Sequence, residues 1–261
     1  MKIQGDRGLQ ASIVLLCSAT AIFCSSSSSS APAATSSDCG PGPYADVIGH
    51  VTEAVASGDP RPKEDVKITF SICPDKPFTT DADGTIHGKM TKNVAITLTA
   101  EHPDDIPSTY GEFTIAADTF EGSIGVVPKL FQSVVAPDFG PDKTLVAFDI
   151  QYPPGTFDAG VPDGGPSDPC QRSEGVTFAI PDHPEAKVVY FTTDSIPKPD
   201  PNATSTSTNG IASVTGLPDG LTISPVATKP GCHLNSAYAG FTGRAITKKG
   251  FGVIFGFQMT K

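Results

Sequence analysis

The sequence predicts an all-β chain built as two tandem β-sandwich units, and three observations lead there. First, 26 Gly and 25 Pro punctuate the 261 residues, and both residues weaken helices and mark turns. Second, short runs of alternating apolar and polar residues, rich in β-branched side chains, lie between those punctuation points, as half-buried strands require. Third, one pattern occurs twice. Ala203 to Gly231 reads ATSTSTNGIASVTGLPDGLTISPVATKPG, where Asn209-Gly210 opens Ile211 to Val214 and a Gly-Leu-Pro-Asp-Gly turn leads to Leu221 to Val226. Thr79 to Ala100 is a weaker copy, in which Asp83-Gly84 opens Ile86 to Met90 and a turn at Thr91 to Asn93 leads to Val94 to Thr99. Asn-Gly and Asp-Gly tolerate positive φ and favour tight turns between strands, so each copy predicts a β-hairpin.

The elements follow in order. Residues 1–23 have the layout of an export signal, with Lys2 and Arg7 ahead of an apolar run from Leu9 to Phe23 that is short for a permanent membrane span. Residues 24–39 form a Ser/Ala/Pro-rich tether that starts at Cys24 and six serines. A cysteine closing the apolar run before a polar tether resembles a bacterial lipoprotein signal, which implies that Cys24 carries a lipid anchor. Phe23 and Ala21 stand where that signal usually has a small residue and Leu. Ordinary cleavage, after Ala21 or Ala33, is the alternative and leaves a soluble secreted protein.

The first unit spans 40–129. Val47 to Val51 is its first strand, a Gly-Asp-Pro-Arg-Pro loop follows, and Val66 to Ile72 alternates until Cys73-Pro74 ends it. After the Asp83-Gly84 pattern, Phe113 to Ala116 and Ser123 to Val127 close the unit. Residues 130–142 are a connector with room for one helical turn. The second unit spans 143–261. Thr144 to Gln151 takes the place of Val47 to Val51, and Gly175 to Ile180 takes the place of Asp65 to Phe70, with the aperiodic Pro/Gly-rich loop 153–169 between them. Lys187 to Thr192 adds a strand, and Tyr110 to Thr114 is echoed by Tyr238 to Thr242. In the last strand, Phe251 to Met259, the residues Phe251, Val253, Phe255 and Phe257 share one face. Gly252 and Gly256 opposite them permit close backbone approach.

With Cys24 assigned to the anchor, Cys39, Cys73, Cys170 and Cys232 remain. An even number in an exported chain implies disulfides, and four cysteines allow three connectivities. Two fall in each unit, which favours Cys39 with Cys73 and Cys170 with Cys232. No C-x-x-C spacing supports a metal site instead.

The order of strand, Pro-containing loop, Gly-Val-x-Phe strand, Thr-Ser-Thr-Asn-Gly turn, Gly-Leu-Pro-Asp-Gly turn and a strand ending Ala-Thr-Lys-Pro-Gly resembles the carboxypeptidase regulatory-like domains. These are small transthyretin-like β-sandwiches of bacterial surface and exported proteins. Residues 143 to 232 carry the likeness best. The first unit shares the Asp81-Ala-Asp-Gly84 turn but has Glu101-His-Pro-Asp104 in place of the Lys-Pro-Gly ending. The resemblance implies structural, spacer or binding roles without catalytic residues, by analogy of fold.

Chemistry-bearing motifs are sparse. The net charge is −10 and no Lys/Arg cluster meets phosphates, which excludes nucleic acid as an expected partner. His50, His87, His102, His183 and His233 lack metal-ligand spacing. Tyr110, Tyr190 and Tyr238 would suit iron ligation in a related sandwich, but the close His pair that goes with them is missing. Ser195 and Lys198 have S-x-x-K spacing on a stretch where Pro197 and Pro199 oppose the helix that mechanism needs. Asp81 and Asp83 are candidate Ca²⁺ ligands, although a full site takes about six oxygens; an Asp-rich turn bonded to its own backbone is the other reading. Asn202-Ala-Thr204 is a formal glycosylation sequon, and Tyr190 and Tyr152 are the best sugar platforms in a chain without Trp. The expectation is a non-enzymatic cell-envelope protein without cofactor, held to the membrane by a lipid and offering its loops, chiefly 153–169, to a protein or glycan. An uncharacterised hydrolase or metalloenzyme on the same scaffold is the alternative.

Overall fold

The structure is a computed structural model that describes residues 38–53, 61–150, 168–194, 197–234 and 243–261. The export signal, Cys24, Tyr152, Ser195, the Tyr238 echo and all but the last two residues of the loop 153–169 lie outside the described residues.

Strands of the first half are β1 (Asp38–Cys39), β2 (Tyr44–Glu53), β3 (Arg61–Pro62), β4 (Lys67–Phe70), β5 (Phe78–Thr79), β6 (Thr85–Thr91), β7 (Ala95–Glu101), β8 (Ser108–Thr114) and β9 (Thr119–Val126). A 3-10 turn at Lys129–Phe131 and a single helical turn at Gln132–Val135 follow. The second half holds β10 (Leu145–Ile150), β11 (Thr177–Ala179), β12 (Val189–Phe191), β13 (Pro199–Asp200), β14 (Ile211–Thr215), β15 (Thr222–Ile223), β16 (Val226–Thr228), β17 (His233–Leu234), β18 (Ala245–Ile246), β19 (Gly252–Phe257) and β20 (Met259–Thr260). The chain is all-β, two sandwiches in tandem.

The repeat is structural as well as sequential. In the first half β2 pairs antiparallel with β6 and parallel with β9; in the second β10 pairs antiparallel with β14 and parallel with β19. The facing layers repeat too, β4 with β7 and β11 with β16. One buried threonine per half ties the entry to that second layer. Thr80 Oγ1 donates to the Lys63 carbonyl and accepts from the Val66 amide; Thr206 Oγ1 donates to the Ser173 carbonyl and accepts from the Val176 amide. Their backbones match as well, each amide donating to the Val66 or Val176 carbonyl and each carbonyl accepting from the Asp65 or Gly175 amide. Removing either hydroxyl leaves a buried amide unsatisfied, so Thr80→Ala and Thr206→Ala will each lower unfolding free energy by about 1–3 kcal/mol. Urea unfolding checks this: the paired Thr→Ser variants, which keep the hydroxyl, should lose much less.

Gly84 and Gly210 enter β6 and β14 at φ of +70° each. A Cβ on Gly84 would stand 2.5 Å from the Val51 carbonyl oxygen, and one on Gly210 would stand 2.8 Å from Ser173 Cβ. Conformation and space both require glycine there.

The hairpins expected on either side of these repeats do not form. β6 and β7 are consecutive but lie in opposite layers, β6 against β1 and β2, β7 against β4 and β8. Likewise β14 pairs with β10 and β12, whereas Leu221 to Val226 divides into β15, paired with β18, and β16, paired with β11. Each connecting turn is an arch between layers. The Asn93 amide bonds to Ile115 and the Lys92 amide to Pro43, while Gly216 bonds to Thr144 and Gly220 to Thr247, so each arch is tied down at both ends.

The last long strand, placed in the second unit from the sequence, also joins the first. β19 lies parallel between β10 and β8 and fuses a nine-stranded sheet in the order β13-β12-β14-β10-β19-β8-β7-β4-β5. Val253, Phe255 and Phe257 join a core with Val146, Phe148, Ile150, Val176, Phe178 and Ile223. Ile254, on the other face, joins the first core with Val51, Ile68, Ile86, Leu98, Tyr110 and Val126. The two cores therefore occupy opposite faces of one sheet. Phe148 and Phe178 stack at 4.7 Å in the second core, with Phe255 and Phe257 around them.

Candidate functional site

Four of the cysteines are bonded. Cys39 joins Cys73, linking β1 to the end of β4, and Cys170 joins Cys232, linking the 3-10 turn Pro169–Gln171 to the chain just before β17. Asp168 caps that turn, its Oδ1 accepting the Cys170 amide at 2.9 Å.

The Asp81 and Asp83 turn is tied to its own backbone. Asp81 Oδ1 accepts from the amides of Asp83 at 3.0 Å and Thr85 at 2.8 Å, and the Gly84 amide reaches the Asp81 carbonyl. That geometry is a side-chain-mimicked turn entering β6. Among the described residues no group of three or more His, Cys, Asp or Glu is placed to hold a metal ion.

The other sequence candidates are dispersed. The Tyr110 hydroxyl donates to the Gly125 carbonyl and the Tyr190 hydroxyl accepts the Phe178 amide, so both brace cores. His50 meets Glu121 at 3.0 Å and His183 meets Glu185 at 3.1 Å, while His87 and His233 are exposed. The Lys198 amide bonds to Thr192 Oγ1 in a loop. Asn202 is exposed in a turn whose Asp200 accepts its amide.

One ionisable cluster escapes sequence reasoning altogether. Asp105, 1% exposed, sits in the link between β7 and β8, its Oδ2 3.3 Å from His102 Nδ1 and 3.7 Å from Lys63 Nζ. Neither of its oxygens makes a hydrogen bond among the described residues. Lys63 Nζ in turn donates to Glu53 Oε1 at 2.5 Å. Burial pushes the Asp105 carboxyl above its ordinary range, against the pull of Lys63. Burial works against the Lys63 ammonium too, but the Glu53 bond and the charges of Asp105 and Glu53 outweigh it and hold its pKa above the usual value. The residues come from 53, 63, 102 and 105, with no local motif to announce them.

A second buried carboxyl, Asp149 on β10, lies on the face of the shared sheet away from the second core, between Ile211 and Gly256. Burial pushes it well above the ordinary carboxylate range. A raised acid stabilises the fold fully below its unfolded pKa, and that contribution is lost as pH rises toward the folded value. Asp149→Asn will therefore raise the melting temperature near pH 7 and leave it unchanged near pH 3. Melting curves at the two pH values decide this, and a loss of stability at neutral pH would show the charge to be needed. Near Asp149 the same face carries a small apolar cleft between the halves, lined by Ile106, Val127, Leu145, Ala147, Phe191 and Ile211.

No protein-family model matches the chain, and no curated protein matches it. Among solved structures, loose overlaps occur with the TIE protein of Bacillus anthracis at 16% identity and a TM-score of 0.23, covering 83% of this chain and 35% of that one. The chain thus spans about a third of the TIE chain. The minor pilin GBS52 of Streptococcus agalactiae overlaps at 13% identity and 0.24, covering 83% and 96%. The shaft pilin SpaA of Lactobacillus rhamnosus GG does so at 13% and 0.24, covering 84% and 99%. Overlaps this loose place no residue of this chain in a role.

Proposed function

We propose that the chain is a non-enzymatic cell-envelope or surface protein, a stiff structural and binding module presented on a lipid anchor at Cys24. The observation that carries this reading is the fusion of two sandwiches through β19, with a disulfide in each half. A body joined by a continuous sheet transmits load without a hinge, which suits a spacer or a presenter. Disulfides suit an oxidising, exported setting. The Ser-rich residues after Cys24 supply flexible reach from a membrane. The loop 153–169 is the part offered to a protein or glycan partner; β10 ends shortly before it at Ile150 and the Cys170–Cys232 bond follows it directly.

The test uses the fragment from Asp38 onward, with and without residues 154–166, on isolated envelopes of the native cell. The full fragment should bind saturably, and the shortened one should melt at a similar temperature but fail to bind. Equal binding by both would remove the loop from the reading. Stoichiometric bound iron or zinc, or turnover of simple ester or peptide substrates, would contradict the non-enzymatic role. For the anchor, a mature N-terminus at lipid-modified Cys24 is expected; an unmodified start at Ile22 or Ala34 would overturn it.

A further inference from the structure

We propose that Lys63 and Asp105 condense to an intramolecular amide, with Glu53 as the base, so that a covalent cross-link joins the two layers of the first sandwich. The amine and the carboxyl already touch at 3.7 Å, and Glu53 Oε1 holds the same nitrogen at 2.5 Å. The reacting atoms are Nζ and Cγ, whose near-attack separation is about 3–3.5 Å, and holding the two groups side by side replaces much of the barrier of a bimolecular step. Asp105 is 1% exposed and neither oxygen is held by a hydrogen bond among the described residues; its Oδ2 lies 3.3 Å from His102 Nδ1 and 3.7 Å from Lys63 Nζ. Its raised pKa favours the neutral acid, the form that amines attack.

The step balances without any co-reactant. The Lys63 ammonium passes a proton to Glu53, and the freed lone pair attacks Cγ of the protonated Asp105. The N–Cγ bond forms, the Cγ–OH bond breaks, and the hydroxyl departs as water with a second proton from the nitrogen. The first proton leaves Glu53 for solvent, which the partly exposed Glu53 reaches. No group is oxidised or reduced. His102 and Asp104 flank the acid; the His102 contact to Oδ2 orients the carboxyl toward the lysine. The product is a neutral amide where a buried carboxyl without a hydrogen bond stood, which removes a desolvation cost.

Position gives the bond a purpose. Lys63 precedes β4 and Cys73 follows it, so amide and disulfide would clamp the layers at both ends of that strand. Asp105 also bridges Pro128, where the chain leaves for the second half. The inference stands apart from the proposed binding role and survives its failure.

Mass spectrometry of the purified, reduced and alkylated chain tests it. The intact mass should fall one water short of the sequence mass, and a branched tryptic peptide should join the segments holding Lys63 and Asp105. Lys63→Arg and Asp105→Ala should restore the full mass, and so should Glu53→Gln. Quantitative tryptic cleavage after Lys63 in the folded wild-type chain, with an unmodified Asp105 peptide, would overturn the proposal without recourse to any variant. A water loss mapped to another pair would overturn it equally, and a cross-link persisting in Glu53→Gln would refute the base.

Discussion

A carboxylate placed at Ile254, in the last long strand, will destabilise the first sandwich by upwards of about 3 kcal/mol. Ile254 is 6% exposed and packs in the core of residues 39–126, opposite Tyr110 on β8 and Ala147 on β10. Ile254→Asp forfeits about 1.5–3 kcal/mol of apolar burial and adds the cost of an unpaired buried charge. Phe255→Asp, one residue on, faces the other core with Phe148 and Val253. Denaturant unfolding followed by hydrogen exchange should show Ile254→Asp loosening the amides of β2 and β6 first, and Phe255→Asp those of β10 and β14. If both variants merely fray β19 and leave β2 and β6 protected, the strand is an appendage and the first sandwich is complete without it.

Breaking the disulfides will cost about 2–5 kcal/mol each, and the loops they close set the order. Cys170 and Cys232 are 62 positions apart, Cys39 and Cys73 are 34. Chain entropy grows with the logarithm of loop length, which makes the longer loop worth about 0.5 kcal/mol more. The Cys170→Ser/Cys232→Ser variant should therefore melt below the Cys39→Ser/Cys73→Ser variant in calorimetry. A cross-link between Lys63 and Asp105 would widen that gap, because it keeps the first sandwich stapled when Cys39 and Cys73 are gone. Equal melting temperatures, or the reverse order, would show native-state strain or residual unfolded structure to dominate.

Strands were easier to read than their partners. The runs Val47 to Val51, Val66 to Ile72 and Thr144 to Gln151 contain or overlap strand residues of β2, β4 and β10 because period-two alternation is written locally. Pairing is not local. Asp83-Gly84 and Asn209-Gly210 do open β6 and β14, but the next turn in each copy crosses to the opposite layer, since Asn93 and Gly220 bond to Ile115 and Thr247 rather than back to the strand just left. The run Phe251 to Met259 held a sign of its role that alternation hid: Ile254 is as apolar as Val253 and Phe255, and a strand apolar on both faces is buried on both. The Glu53, Lys63, His102 and Asp105 cluster was illegible for another reason. Its members come from the end of β2, the link before β4 and the link between β7 and β8, brought together only by the stacking of two sheets, whereas Asp81 and Asp83 stand together in sequence, where Asp81 Oδ1 accepts from the turn's own amides.

Amide hydrogen exchange across β19 in the unmodified chain bears most directly on the shared-strand architecture. The amides of Val253 to Phe257 should be among the slowest to exchange, and should open in the same cooperative step as those of β8 and β10 on either side. Fast exchange in β19, with β8 and β10 opening at independent rates, would contradict a single sheet joining the two sandwiches.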